Sequence, residues 1–155
     1  MYPEVTSIKQ AKDLLFNQFK TDLSADLDID ALEFGRIENY TTNHPNGAVV
    51  VFYDGGKFSD SMSKNVVHTQ RELRIVAFLK TRVDKGVTYR DDMIDAVIES
   101  AAGLKFRTVS KADRVRPVSD EYLTPEPDGD KNFYDHPIVF VVPAQFVQNK
   151  HLNED

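Results

Sequence analysis

The sequence predicts an α+β domain: a mostly antiparallel sheet of about four to five strands with two main helices packed on it. Three observations carry this reading. Two segments, 7–22 and 88–102, place apolar residues at helical spacing. Several runs rich in valine, isoleucine and aromatic residues have strand character. The order helix, two or three strands, helix, two strands lacks the regular strand–helix alternation of a parallel doubly wound sheet. A length of 155 residues with 41% hydrophobic side chains suits one domain with its own core, so residues 1–155 are read as a single unit.

The first helix is marked by Ile8, Ala11, Leu15 and Phe19, with Ser7 and Gln10 spaced as a capping box. An acidic stretch, Asp22 to Asp30, leads to a weak strand near Leu32 to Tyr40. TTNHPNG, Thr41 to Gly47, has turn chemistry and is expected to join that strand to Ala48–Tyr53 as a hairpin. Both faces of Ala48–Tyr53 are apolar, which predicts a central strand covered on both sides, ended by Asp54-Gly55-Gly56.

Gln70 to Val83 is the most informative strand. Leu73, Ile75, Ala77, Leu79 and Val83 fall on one face at period two, the expected core side. The opposite face carries Glu72, Arg74, Val76, Phe78, Lys80 and Arg82, two apolar side chains bracketed by charges. That pattern fits a contact with a neighbouring subunit, or else a face on which the first helix packs or on which Val76 and Phe78 are partly exposed.

Thr88 to Ala102 is the clearest helix, with the stripe Tyr89, Met93, Ile94, Val97, Ile98 and Ala101, and Gly103 supplying a left-handed stop. Two strands follow, Arg114–Leu123 and Phe133–Val147, separated by the loop Thr124 to Lys131. Pro117 places the first at an edge or a bulge, and the apolar run from Ile138 to Val142 makes the second central. The polar segment 148–155 is read as a flexible tail.

Composition excludes several classes of function. A chain without cysteine has no disulfide, thiolate metal site or cysteine nucleophile, and this suits a reducing compartment such as the cytoplasm. No apolar run approaches the roughly 20 residues of a membrane helix, and Met1 to Gln10 lacks the pattern of a secretory signal. A net charge of −6 opposes binding to phosphate backbones, so no sequence-specific nucleic-acid binding is expected. An acidic wall could still let DNA pass without gripping it.

The residues offer no catalytic or metal signature. His44, His68, His136 and His151 lie far apart, and His44 and His136 precede prolines as loop residues would. Asp26, Asp28 and Asp30 have the opening spacing of a calcium loop, but Ala31 stands in the glycine place and Ile37 in that of the closing glutamate. Asp128, Asp130 and Asn132 fail similarly at Phe133. Asp54-Gly55-Gly56-Lys57 lacks phosphate-loop spacing, and there is no GxSxG. No cofactor, no metal and no enzymatic activity are expected.

Taken as a layout, the N-terminal amphipathic helix, AVVVFYDGG (48–56), QRELRIVAFLKTRV (70–83), YRDDMIDAVIESAAGLKF (89–106), RVRPVSDEYL (114–123) and HPIVFVVPAQF (136–146) resemble the tail-terminator or tail-completion proteins of long-tailed phages, of the type found in Mu-like phages and prophages. The resemblance implies a structural virion protein that forms a ring, commonly a hexamer, on the last tail-tube ring and presents a surface to the head connector. It implies assembly in the host cytoplasm before incorporation into the tail, and carries over no catalytic residue. A ring subunit needs two different, complementary surfaces. Arg74, Val76, Phe78 and Lys80 are the candidate subunit interface, and Asp54, Gly55, Gly56, Lys57, Pro125, Pro127 and Asp128 are candidate partner-facing loop positions. The alternatives are another connector or baseplate component, or a small ligand-binding or enzymatic domain, which would need a concave pocket with converging polar groups.

Overall fold

A computed structural model describes residues 2–24, 30–33, 46–62, 67–108, 112–121 and 132–148 of the chain. The chain enters through α1 (Ile8–Phe19) and one π-helical turn (Lys20–Ser24), followed by β1 (Asp30–Glu33), β2 (Gly47–Met62) and β3 (Val67–Arg82). A 3-10 turn (Val83–Lys85) leads into α2 (Gly86–Ala101), then β4 (Lys105–Arg107), β5 (Ala112–Arg114), β6 (Arg116–Asp120) and β7 (Phe133–Gln148). The main sheet has the order β1-β2-β3-β7-β6, and β4 and β5 form a separate pair. This is the expected α+β class with a largely antiparallel sheet.

β3 sits at the middle because its inner face is uniformly apolar. Leu73, Ile75, Ala77 and Leu79 are fully buried and meet Val49 and Val51 of β2 and Ile138, Phe140 and Val142 of β7. Both helices lie on this side. Ala11, Leu14, Leu15 and Phe19 of α1 and Met93, Val97 and Ala101 of α2 are buried in the same cluster. Phe19 meets Phe140 with ring centroids 6.2 Å apart. Burying each of the Val, Leu, Ile, Phe and Met side chains here contributes about 1.5–3 kcal/mol.

Ser7 caps α1 as expected, its Oγ accepting the Gln10 backbone N–H at 3.1 Å. The return bond differs from a capping box: Gln10 Oε1 accepts from the Thr6 backbone N–H at 2.7 Å, one residue further out. The π-turn then carries Leu23 into the core. α2 begins at Gly86, two residues before the expected Thr88, since Gly86 takes φ +89 to turn the chain out of β3. Val83 therefore leaves the strand and is exposed, not core. Gly103, at φ +78, ends α2 as expected.

Three strand expectations need correction. The predicted hairpin before Ala48 is a parallel pair, with Asp30 opposite Ala48 and Glu33 opposite Val51. Antiparallel neighbours accept a tight turn, whereas parallel ones need a long connection. Asp54-Gly55-Gly56 does not end the second strand. β2 passes through a bulge between Tyr53 and Gly56 and keeps pairing with β3 to Met62, because Gly55 adopts φ +90 and absorbs the extra residue. The strand expected at Arg114–Leu123 is two: β5 pairs with β4 and β6 with β7, and buried Val115 between them links the sheets. The short β4 was not anticipated; its Arg107 exchanges backbone bonds with Val5 and Pro3, which ties the N-terminal arm to the core.

Pro117 lies where expected, on the edge strand β6, beside a register shift between Pro117 and Ser119. β7 is interior, also as expected. Gln148, expected to open the tail, is instead the last residue of β7, paired with Val67. The turn at Thr41–Pro45, most of both aspartate runs, His44 and His151, the loop 124–131 and the tail from 149 onward lie outside the described residues.

The bulge gives a direct test. A Cβ on Gly56 would stand 2.5 Å from the Glu72 carbonyl oxygen, while one on Gly55 would meet nothing within 4 Å. Gly56→Ala should cost about 1–3 kcal/mol through overpacking. Gly55→Ala should cost only the left-handed backbone penalty, about 1–2 kcal/mol. Urea unfolding midpoints should rank Gly56→Ala as the less stable variant.

Candidate functional site

The sheet face turned away from the helices divides into two zones. In the first, Val50, Val76, Phe78 and Val139 form a second apolar cluster with Phe52 against it. Val76 and Phe78 are only 4% and 8% exposed. Lys80, also buried, is held by its surroundings: Nζ lies 2.8 Å from Asp135 Oδ1, its cross-strand partner, and over the rings of Phe78 and Phe133 at 5.4 and 5.6 Å. Three of the four residues singled out as a subunit interface thus pack within their own chain and present little surface to a neighbour.

Arg74 belongs to the second zone, further along β3. There the face opens into a groove of about 340 Å³ walled by Lys57 of β2, Glu72 and Arg74 of β3, and Arg116 to Val118 of β6, with Val141 of β7 at its floor. The ladder explains the convergence. Lys57 is opposite Glu72, and Arg74 and Arg116 flank Val141 from either side. Arg116 Nη2 reaches Glu72 Oε1 at 3.3 Å, an exposed pair of small energetic weight. Lys57 and Arg74 make no ion pair among the described residues. The groove therefore gathers three cations against one carboxylate, on a chain whose net charge is −6.

The structure brings together Arg74 and Lys57 from the two sequence-derived sets. Asp54, Gly55 and Gly56 form the β2 bulge that brings Lys57 into register with Glu72; they are strand positions, not a loop. Pro125, Pro127 and Asp128 lie outside the described residues. Glu72 was seen only as part of a mixed strand face. Arg116 and Val118, the latter 54% exposed, were missed because their role depends on β6 lying beside β7.

On the helix side of the same strands, Arg71 Nη2 donates to the Tyr53 hydroxyl at 2.8 Å and stacks on Phe58, an aromatic ring 64% exposed. A wider cleft of about 700 Å³ runs between the N-terminal arm, α1 and β4, past Tyr2, Gln10, Asn17, Gln18 and Lys105. Its polar groups are largely engaged locally: Gln10 with Thr6, Gln18 with Asp22, and Lys105 with the Tyr2 hydroxyl at 3.4 Å. His136 is a β7 residue, not a loop residue, because the strand continues through Pro137; its Nε2 lies 3.1 Å from Asp120 Oδ1 and links β7 to β6. Among the described residues no group of three His, Cys, Asp or Glu is placed to hold a metal ion.

These contacts predict stability effects separable from assembly. Asp135→Ala leaves the buried Lys80 ammonium unpaired and should cost about 1–3 kcal/mol. Lys80→Met keeps the stem between Phe78 and Phe133 and should be close to neutral. Phe78→Asp puts a carboxylate into the second cluster and should unfold or strongly destabilise the isolated chain. Chemical denaturation followed by circular dichroism checks all three, and a folded, stable Phe78→Asp would show that this ring is not a core group.

The fold has a counterpart among known proteins. One chain of a solved structure, described as the virion of a native gene transfer agent (GTA) particle, superposes with a TM-score of 0.50. It covers 92% of this chain and 100% of that one, at 14% sequence identity, so the likeness is one of fold. No curated protein matches the chain. Residues 20–155 match the family described as Gp37 protein, and the chain belongs to that family.

Proposed function

We propose that this chain is a structural virion protein of a phage-type particle and works by assembly, not by catalysis. The observation that carries the reading is the fold likeness to a chain of a gene transfer agent virion, which extends over the whole of that chain. The resemblance in layout to tail terminators supplies the finer form. In it, the subunit closes into a ring, in the hexameric form that the resemblance implies, that caps the tail tube and offers its free side to a head connector. Such a subunit assembles in the host cytoplasm and ends in the tail.

The surface chemistry supports this form in two ways. Of the proposed interface residues, Arg74 lines an open groove and is the one we propose to meet a neighbour, whereas Val76, Phe78 and Lys80 are buried further along the same face. Asp54 to Lys57 and the segment bearing Pro125, Pro127 and Asp128 remain the proposed partner-facing positions. A net charge of −6 suits a wall past which DNA moves without sticking.

Solution mass by light scattering over a concentration series, with electron microscopy of any large species, tests the proposal. A ring, or a monomer that becomes a ring when purified tail tubes are added, is the expected result. A strict monomer indifferent to tubes contradicts it and directs attention to the cleft beside α1.

A further inference from the structure

The charged groove on the outer sheet face has a counterpart on the other side of the molecule. α2 turns Met93, Val97 and Ala101 inward, so its opposite face carries Asp92, Asp95 and Glu99, all exposed. These positions are i, i+3 and i+7, one stripe of a helix. Asp95 has Asp91 four residues before it, Asp92 three before and Glu99 four after, so no cation on α2 at those spacings offsets it. Like charges at this spacing destabilise a helix. None of Asp92, Asp95 and Glu99 makes an ion pair among the described residues. The stripe is a local cost to the isolated chain that an external cationic surface would remove.

We infer that the groove of Lys57, Arg74 and Arg116 is the socket for the acidic face of α2 from a second copy of this chain. The dimensions agree. Arg74 and Arg116 lie two strand spacings apart across β7, about 10 Å. Asp92 and Glu99 are seven residues apart, also about 10 Å along a helix axis. The floor at Val141 and the exposed Val118 give the contact an apolar component beside the charges. The two surfaces lie on opposite faces of one sheet, so neither can satisfy the other within the chain. Joining them between copies makes a head-to-tail contact, which closes into a ring when the rotation permits. A two-fold dimer formed through either surface alone would instead bring like charges together.

The inference rests on the assembly reading above, and charge reversal separates the two. Arg74→Glu, Asp92→Lys and Glu99→Lys are each expected to weaken self-association by about tenfold or more, with circular dichroism and unfolding midpoints showing all three variants folded. Arg74→Glu combined with whichever of Asp92→Lys and Glu99→Lys faces it restores opposite charges, so one of the two double variants is expected to recover much of the lost mass in light scattering. Raising the salt should dissociate the wild-type assembly toward smaller species. Wild-type chains that assemble while all the single variants assemble equally well would overturn the socket but leave the assembly reading standing. Impaired single variants with neither double variant better than its parents would overturn the socket in the same way. A wild-type chain that stays monomeric at every concentration would remove both.

Discussion

Everything in this molecule depends on the register of three long strands. Each residue of β3 from Val67 to Arg82 has a partner in β7, and nearly the whole of β3 is matched in β2 as well. Side chains alternate between faces, so a slip by one residue would carry Leu73, Ile75, Ala77 and Leu79 out of the helix-side core and put Arg74 and Lys80 into it. The apolar contrast between the two parities therefore fixes the register, and the register fixes which charged groups meet on the outer face.

The glycine bulge in β2 adjusts that register once. Between Tyr53 and Gly56 the strand takes up an extra residue, after which Lys57 rather than Gly56 stands opposite Glu72 on the outer face. Below the bulge the face is sealed by Val50, Val76, Phe78 and Val139; above it the face is open and cationic. One irregularity thus coincides with the boundary between core and surface on a single strand. Lys80 shows how a charge is tolerated below it, through Asp135 and two aromatic rings.

Periodicity made much of this legible. The inner face of β3, the stripe of α2 with its stop at Gly103, the edge position of Pro117 and the interior position of β7 all follow from spacing and backbone chemistry that a sequence displays directly. Pairing partners do not. The residues from Leu32 to Tyr53 contain strong turn chemistry, yet β1 runs parallel to β2. Asp54-Gly55-Gly56 looks like a terminator because the same glycine conformations serve turns and bulges. The outer face of β3 was ambiguous for a related reason: alternation between charged and apolar side chains does not say whether the apolar ones are covered. Arg116 joined Arg74 only once β6 was placed beside β7.

The central claim is that this chain assembles through two unlike surfaces, the outer sheet face and the helix layer. An electron cryomicroscopy reconstruction of the assembled wild-type protein tests it most directly, since the faces in contact can be read from the density. The account predicts a closed ring in which the outer sheet face of each subunit meets α2 of the next. A ring or dimer in which α2 faces solvent and the groove is empty would contradict it.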